Sequence, residues 1–222
     1  MTDEAWRALD RKEKERLCRI NYRKMEAFRD IPAGDWRFEE AGVMTEPLKK
    51  AGEYAGHWEE MQKEGLGLLL FGNVGTGKSY AAGCIANVLL EKGKTVLFVS
   101  VSDAVNRMQG NFGAERETCL EQMVRPDLLI LDDLGAERST AYGRERVFDI
   151  VNRRTLSGKP LIVTTNLSLT AMQNAEDLAE RRIYDRILER CVPVLFKGEN
   201  FRKANAGENL KKAARILSGK GE

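Results

Sequence analysis

Gly72-Asn73-Val74-Gly75-Thr76-Gly77-Lys78-Ser79 follows directly on an apolar run at 66–71 and opens a stretch of helix formers at 78–91. G-x-x-x-x-G-K-S between a strand and a helix is the pattern of a phosphate-binding loop. Glycines at 72, 75 and 77 let the backbone curl until its N–H groups point into one concavity, where they and the helix N-terminus stabilise a di- or triphosphate. Lys78 reaches the β- and γ-phosphates, and the Ser79 hydroxyl offers an oxygen ligand to Mg²⁺. Composition alone produces such a match in roughly one chain of this length in a hundred, and here strand, loop and helix stand in the required order. ATP and Mg²⁺ are therefore the expected cofactors, with Gly72, Asn73, Val74, Gly75, Thr76, Gly77, Lys78, Ser79 and the adjoining Tyr80 as the binding residues.

Outward from the loop, short apolar runs alternate with helical segments. Strands are expected at 66–71, 95–101, 128–131, 161–164 and 192–196, and helices at 78–91, 102–123 (broken at Gly110 and Gly113), 142–156 and 175–190. Such alternation means an α/β fold whose mostly parallel sheet is covered on both faces. Pro193 would cost a ladder hydrogen bond in a central strand, so the last strand belongs at an edge. Residues 1–30 are charged helix formers with sparse apolar positions, Trp6, Leu9, Leu17, Ile20, Met25 and Phe28, and read as a helical arm. Ile31-Pro32-Ala33-Gly34 breaks it, and a further helix is expected over 47–63. The organisation is thus an N-terminal arm (1–60), an ATPase domain (61–204) and a short C-terminal helix or tail (205–222).

A nucleoside triphosphatase needs a carboxylate at the tip of a neighbouring strand, to hold the metal and activate the attacking water. Leu128-Leu129-Ile130-Leu131-Asp132-Asp133 has that form, with Asp132 as metal ligand beside Ser79 and Asp133 as catalytic base. The next strand ends Thr164-Thr165-Asn166, and an amide there can orient the water and touch the γ-phosphate.

The loop at 72–79, Leu-Asp-Asp-Leu-Gly-Ala-Glu at 131–137, Val-Thr-Thr-Asn-Leu at 163–167 and Gly-Glu-Asn-Phe-Arg at 198–202 resemble the DnaC/DnaI helicase loaders and the related IstB transposition ATPases. The likeness covers about residues 65–203, and the Asp-Asp-Leu-Gly-Ala-Glu string is its specific part. It implies an AAA+ P-loop core with a five-stranded parallel sheet in 5-1-4-3-2 order, and a nucleotide placed between neighbouring subunits of an ATP-dependent homo-oligomer. It supports Asp133 as the second acidic residue, where most AAA+ proteins carry Glu. Arg182-Ile183-Tyr184-Asp185-Arg186-Ile187 matches the family's Arg-hydrophobic-x-x-Arg-hydrophobic motif, so the resemblance makes Arg186 the arginine finger, with Arg182 as understudy. The residues by themselves equally describe a solvated helix face of alternating charge. In two respects the chain departs from related patterns: the segment after Lys203 suits a short helix but not a full helical lid, and the N-terminal region carries no zinc-ligand cysteines.

Composition narrows the rest. The 222 residues are 42% hydrophobic, enough for a real core, and 36 Lys and Arg against 34 Asp and Glu leave a net charge of only +2. Polyanion binding must then come from local patches. No apolar run approaches the roughly 20 residues of a membrane helix, and a cytoplasmic protein that does not engage membranes is expected. Cys18, Cys84, Cys119 and Cys191 stand far apart and read as buried reduced thiols; the lone His57 is not a chemical residue. The leading functional expectation is a DnaC-like loader that places a replicative DNA helicase on single-stranded DNA, gripping the helicase with its arm. Arg107, Phe112, Arg138, Tyr142 and Arg144 are available to touch the strand, although Phe112 and Tyr142 fit a core equally well. The alternatives are an IstB-like transposition helper acting on duplex DNA and a transposase, or a nucleotide-dependent switch that hydrolyses ATP slowly because Asp133 is short.

Overall fold

The structure, a computed structural model, describes residues 9–29, 31–110, 113–135 and 140–217. Trp6, Phe112, Glu137 and Arg138 lie outside the described residues. Five strands, β1 (Gly67–Gly72), β2 (Val96–Ser100), β3 (Leu128–Leu134), β4 (Leu161–Thr165) and β5 (Cys191–Phe196), pair in parallel in the order β2-β3-β4-β1-β5. This is the 5-1-4-3-2 order that the resemblance implied. The inner strands are covered on both faces, which is why they read as unbroken apolar runs rather than alternating ones. Pro193 sits in β5, which pairs with β1 alone and leaves Val192 and Leu195 exposed at the sheet's margin.

Ten α-helices are described: α1 (Arg11–Ala27), α2 (Glu46–Gly56), α3 (Trp58–Glu64), α4 (Lys78–Glu91), α5 (Val101–Met108), α6 (Ala114–Val124), α7 (Ala141–Leu156), α8 (Leu169–Gln173), α9 (Leu178–Arg190) and α10 (Phe201–Leu217). Side chains cap several N-termini: Asp10 accepts from Glu13 N–H, Ser100 from Asp103 N–H, Thr140 from Gly143 N–H, and Asp177 from Ala179 and Glu180 N–H. The N-terminus of α4 has no such cap; Gly77 enters it at φ 94°, leaving its first N–H groups to a ligand. The helix expected over 102–123 divides into α5 and α6 around Gly110 and Gly113, both at positive φ. The one expected over 47–63 divides at His57, which ends α2 and is exposed.

On one face α4 packs with Leu68, Leu70, Phe98, Ile130 and Ile162; on the other, α5 to α9 pack with Leu69, Val99, Leu129, Leu131 and Val163. The α4 face also takes Ala27, Phe28, Ala33, Leu48, Ala51, Tyr54, Ala55 and Trp58 into the same core. Residue 60 is therefore not a packing boundary: the core reaches back to the end of α1, and only the earlier turns of that helix stand off it, apart from the buried Ile20. Cys84 and Cys191 are buried as expected, whereas Cys119 is half-buried and Cys18 exposed, on the solvent side of α1. No helix among the described residues is long and apolar enough to cross a membrane.

Candidate functional site

The carboxyl ends of β1, β3 and β4 meet beside the start of α4; of the residues expected to hold phosphate or metal, Val74 to Tyr80, Asp132, Asp133 and Asn166 line the cavity there, while Gly72 and Asn73, at the end of β1, lie outside its lining. The loop requires its glycines. Gly72 has φ 127° and a Cβ on it would fall 2.2 Å from Phe196 O; Gly75 has φ 78° and its Cβ would fall 2.1 Å from Asn200 Oδ1. Thr76 Oγ1 donates to Asn73 O at 2.8 Å and closes the curl. Lys78 is only 8% exposed, and its ammonium donates to Gly72 O (3.0 Å), Asn73 O (2.7 Å) and Asn166 Oδ1 (2.8 Å). Burial draws its pKa below the ordinary lysine range, while the nearby Asp133 and Asp132 oppose that shift.

Ser79 Oγ donates to Asp132 at 2.8 Å and Thr164 Oγ1 donates to the same carboxylate at 2.6 Å. Burial raises the Asp132 pKa against these two hydroxyls, which favour the ionised form. Asp133 is exposed, at φ 63°, with its N–H on Thr164 Oγ1 (2.9 Å) and Oδ1 accepting from Asn166 Nδ2 (3.2 Å). Asn166 thus joins Lys78 to Asp133 through the two ends of one amide.

These groups line a cavity of about 780 Å³ whose other wall comes from the N-terminal segment, including Trp36, Glu40, Val43 and Thr45. That segment is bolted to α4: Asn87 donates to Ala33 O and Trp36 O, Tyr80 donates to Arg37 O, and the Trp36 ring lies 5.6 Å from that of Tyr80. Tyr80 lines the cavity as expected, but its hydroxyl is committed to the strap. Sequence reasoning missed this wall and Arg202. Phe201 N–H donates to Gly75 O at 2.9 Å, which brings Arg202, the last residue of Gly-Glu-Asn-Phe-Arg, into the cavity lining. That motif was the available signal for Arg202; no motif marked the strap.

Arg186 does not enter this cavity; it lies on α9 with its guanidinium on Glu189 at 3.0 Å, and Arg182 stacks over the Phe148 ring at 4.3 Å. Of the residues considered for a DNA strand, Tyr142 is 40% exposed with its hydroxyl on Met108 O, and Arg144 pairs with Asp177 at 3.7 Å.

The donor set fits a magnesium nucleotide. Its volume is that of a small-ligand pocket, the loop offers backbone N–H groups and one ammonium, and a hydroxyl and a carboxylate already touch each other where Mg²⁺ takes one or two protein oxygens along with phosphates and waters. Among the described residues no group of three or more His, Cys, Asp or Glu could hold a metal by itself. Strand order, loop and acidic pair together define a P-loop nucleotide-binding core of the AAA+ type. The family model described as IstB-like ATP binding protein matches residues 4–209, and the chain belongs to that family. The replicative helicase loader DnaC of Escherichia coli (strain K12) is 31% identical over 178 residues, 78% of this chain and 70% of that protein. Two crystal structures share the fold: that of DnaI (TM-score 0.62, 23% identity, 76% of this chain and 91% of that one) and that of the DnaC helicase loader (TM-score 0.62, 23% identity, 74% and 98%).

Proposed function

We propose that the chain is a DnaC-like ATPase that loads a replicative DNA helicase onto single-stranded DNA, with hydrolysis slow until it assembles into a homo-oligomer. The reading is carried by the 31% identity to a replicative helicase loader in a chain whose phosphate loop, acidic pair and Asn166 converge on one cavity. Lys78 gives its charge to the β- and γ-phosphates, a charge-assisted contact stronger than those it makes to loop carbonyls. Ser79 and Asp132 would hold Mg²⁺, which would supply neutralisation of the phosphate charge. Asp133 takes the proton of the attacking water, and Asn166, bonded to both Lys78 and Asp133, aligns that base with the γ-phosphate. Arg202 adds a second cation from the same chain.

Arg186 is assigned to the site of the adjacent subunit. Its exposed pair with Glu189 is worth at most about 1 kcal/mol, so little holds it back from a phosphate across an interface. In this reading the helicase is gripped by residues 1–26, a choice supported by the exposure of Tyr22 and Met25 and by the commitment of Ala27 and Phe28 to the core. The test is reconstitution with a replicative helicase. The chain should retain the helicase in the presence of ATP and place it on single-stranded DNA, and Asp133→Asn should bind ATP, retain the helicase and lose turnover. A chain that binds no helicase but retains duplex DNA and a transposase supports instead the IstB-like transposition helper. Tight ATP binding with no turnover under any condition supports the switch, for which the short Asp133 is the relevant observation.

A further inference from the structure

In β3, Leu128 and Ile130 face α4 while Leu129 and Leu131 face α7. Strict alternation would put Leu134 with Ile130 and Asp132 on the α4 side. It is instead in the α7-side core, 3% exposed. The strand register shows why: Leu131 pairs with Val163 and Leu134 with Thr165, so that Asp132 and Asp133 together stand opposite Thr164 alone. This is a β-bulge, two residues against one, and Asp133 is the extra residue. It is the one non-glycine at positive φ among the described residues, in a conformation that Asp tolerates better than most side chains.

The near side of the bulge is held by one buried hydroxyl. Thr164 is 2% exposed; its Oγ1 accepts the Asp133 N–H at 2.9 Å, the donor a regular ladder would have used, and places its only proton on Asp132 Oδ1 at 2.6 Å. Thr165 closes the far side by donating to Leu134 O at 2.7 Å. One side chain therefore ties the backbone of one carboxylate residue to the carboxylate of the other.

We propose that Thr164 is the positioning residue of the acidic pair, its hydroxyl holding Asp133 in the bulge and turning Asp132 toward Ser79. Consecutive residues of an unbulged strand point to opposite faces; the bulge brings both carboxylates to the same site while Leu134 still seals the core. The proposal rests on the ATPase reading for its kinetic consequence and on the bulge alone for its structural one.

The experiment compares full chains carrying Thr164→Val, which keeps the shape and removes the hydroxyl, and Thr164→Ser, which keeps the hydroxyl. In crystals grown without nucleotide, Thr164→Val should show Asp133 out of the positive-φ region or Asp132 turned from Ser79, and Thr164→Ser should show neither. A fluorescent ATP analogue should bind Thr164→Val within about threefold of the parent, because the phosphate loop is untouched, while kcat falls on the order of 100-fold at nearly constant KM and Thr164→Ser recovers most of it. A Thr164→Val crystal with bulge and Asp132 in place overturns the proposal, as does unchanged kcat or a loss that serine does not rescue. If the parent chain hydrolyses no ATP, the ATPase reading fails and the crystals decide the structural claim by themselves. If Thr164→Val does not fold, amide exchange of the unsubstituted chain decides: the Asp133 N–H should exchange at least about tenfold slower than an unbonded amide, and exchange at the unbonded rate refutes the proposal.

Discussion

Removing residues 1–19 and removing residues 1–30 should have very different consequences, although the two truncations differ by less than one helix of sequence. The shorter one takes away the first half of α1 and leaves the buried Ile20, Ala27 and Phe28 in place. The longer one also removes Ile20 and Phe28, each 7% exposed, the latter with its ring 5.8 Å from that of Phe98, and Lys24, which donates to Gly34 O and Glu91. Losing a buried phenylalanine costs about 3–5 kcal/mol, and a buried isoleucine about 1.5–3 kcal/mol. Together they approach the whole stability of an ordinary domain, about 5–15 kcal/mol, even after allowing for compaction of the unfolded chain. Urea unfolding of the full chain and both truncations at equal concentration measures this. The 1–19 deletion should lie within about 1 kcal/mol of the full chain and the 1–30 deletion at least about 4 kcal/mol below it, or fail to fold. A 1–30 deletion with an unchanged midpoint would refute the reasoning and return that segment to the status of an appended arm.

Lys78→Ala should retain the fold and weaken ATP binding on the order of 10- to 100-fold, the value of a charged hydrogen bond in a desolvated site; calorimetric titration with Mg-ATP reports it, and unchanged affinity would remove Lys78 from the phosphate site. Arg186→Ala and Lys78→Ala chains, each inactive separately, should regain part of the ATPase rate when mixed, because some interfaces then pair an intact loop with an intact arginine; no recovery between variants that still assemble places Arg186 outside the neighbour's site. A thiol reagent near neutral pH should modify Cys18 readily and spare Cys84 and Cys191 until unfolding, since both are buried and burial pushes each of their pKa values up to about 12; rapid loss of more than two thiols from the folded chain would contradict the packing.

The sheet was legible because its central strands are buried twice over, which writes them as runs such as Leu128-Leu129-Ile130-Leu131 that few other environments tolerate. Helix α4 was legible to the residue for a related reason: it is bounded by the loop that defines the site. The N-terminal half of the core was not. Half of its buried residues are Ala27, Ala33, Ala51 and Ala55, small side chains that no hydrophobic periodicity picks out, and they leave Phe28, Leu48, Tyr54 and Trp58 looking like scattered apolar positions. A Cβ at Gly83 would lie 2.4 Å from the Trp36 ring, so the strap's close approach depends on an absent side chain, which a reading based on apolar bulk cannot register.

The site divides in the same way. Residues contributed by one continuous motif, Lys78 and Ser79 or Asp132 and Asp133, announce themselves; those brought in by tertiary structure do not. Arg202 reaches the cavity because β5 runs beside β1 and Phe201 hydrogen-bonds to Gly75, a consequence of strand order. The bulge is harder still, since Leu131-Asp132-Asp133-Leu134 reads equally well as an unbroken strand and only the face on which Leu134 settles reveals the extra residue. For Arg186 the limit is one of principle. A residue that acts on a neighbouring subunit's nucleotide must be exposed and loosely paired in its own chain, and that is also the description of an ordinary surface arginine. Its pair with Glu189 and its distance from its own cavity lining satisfy both descriptions at once, so the assignment turns on what the assembled interface does to the ATPase rate.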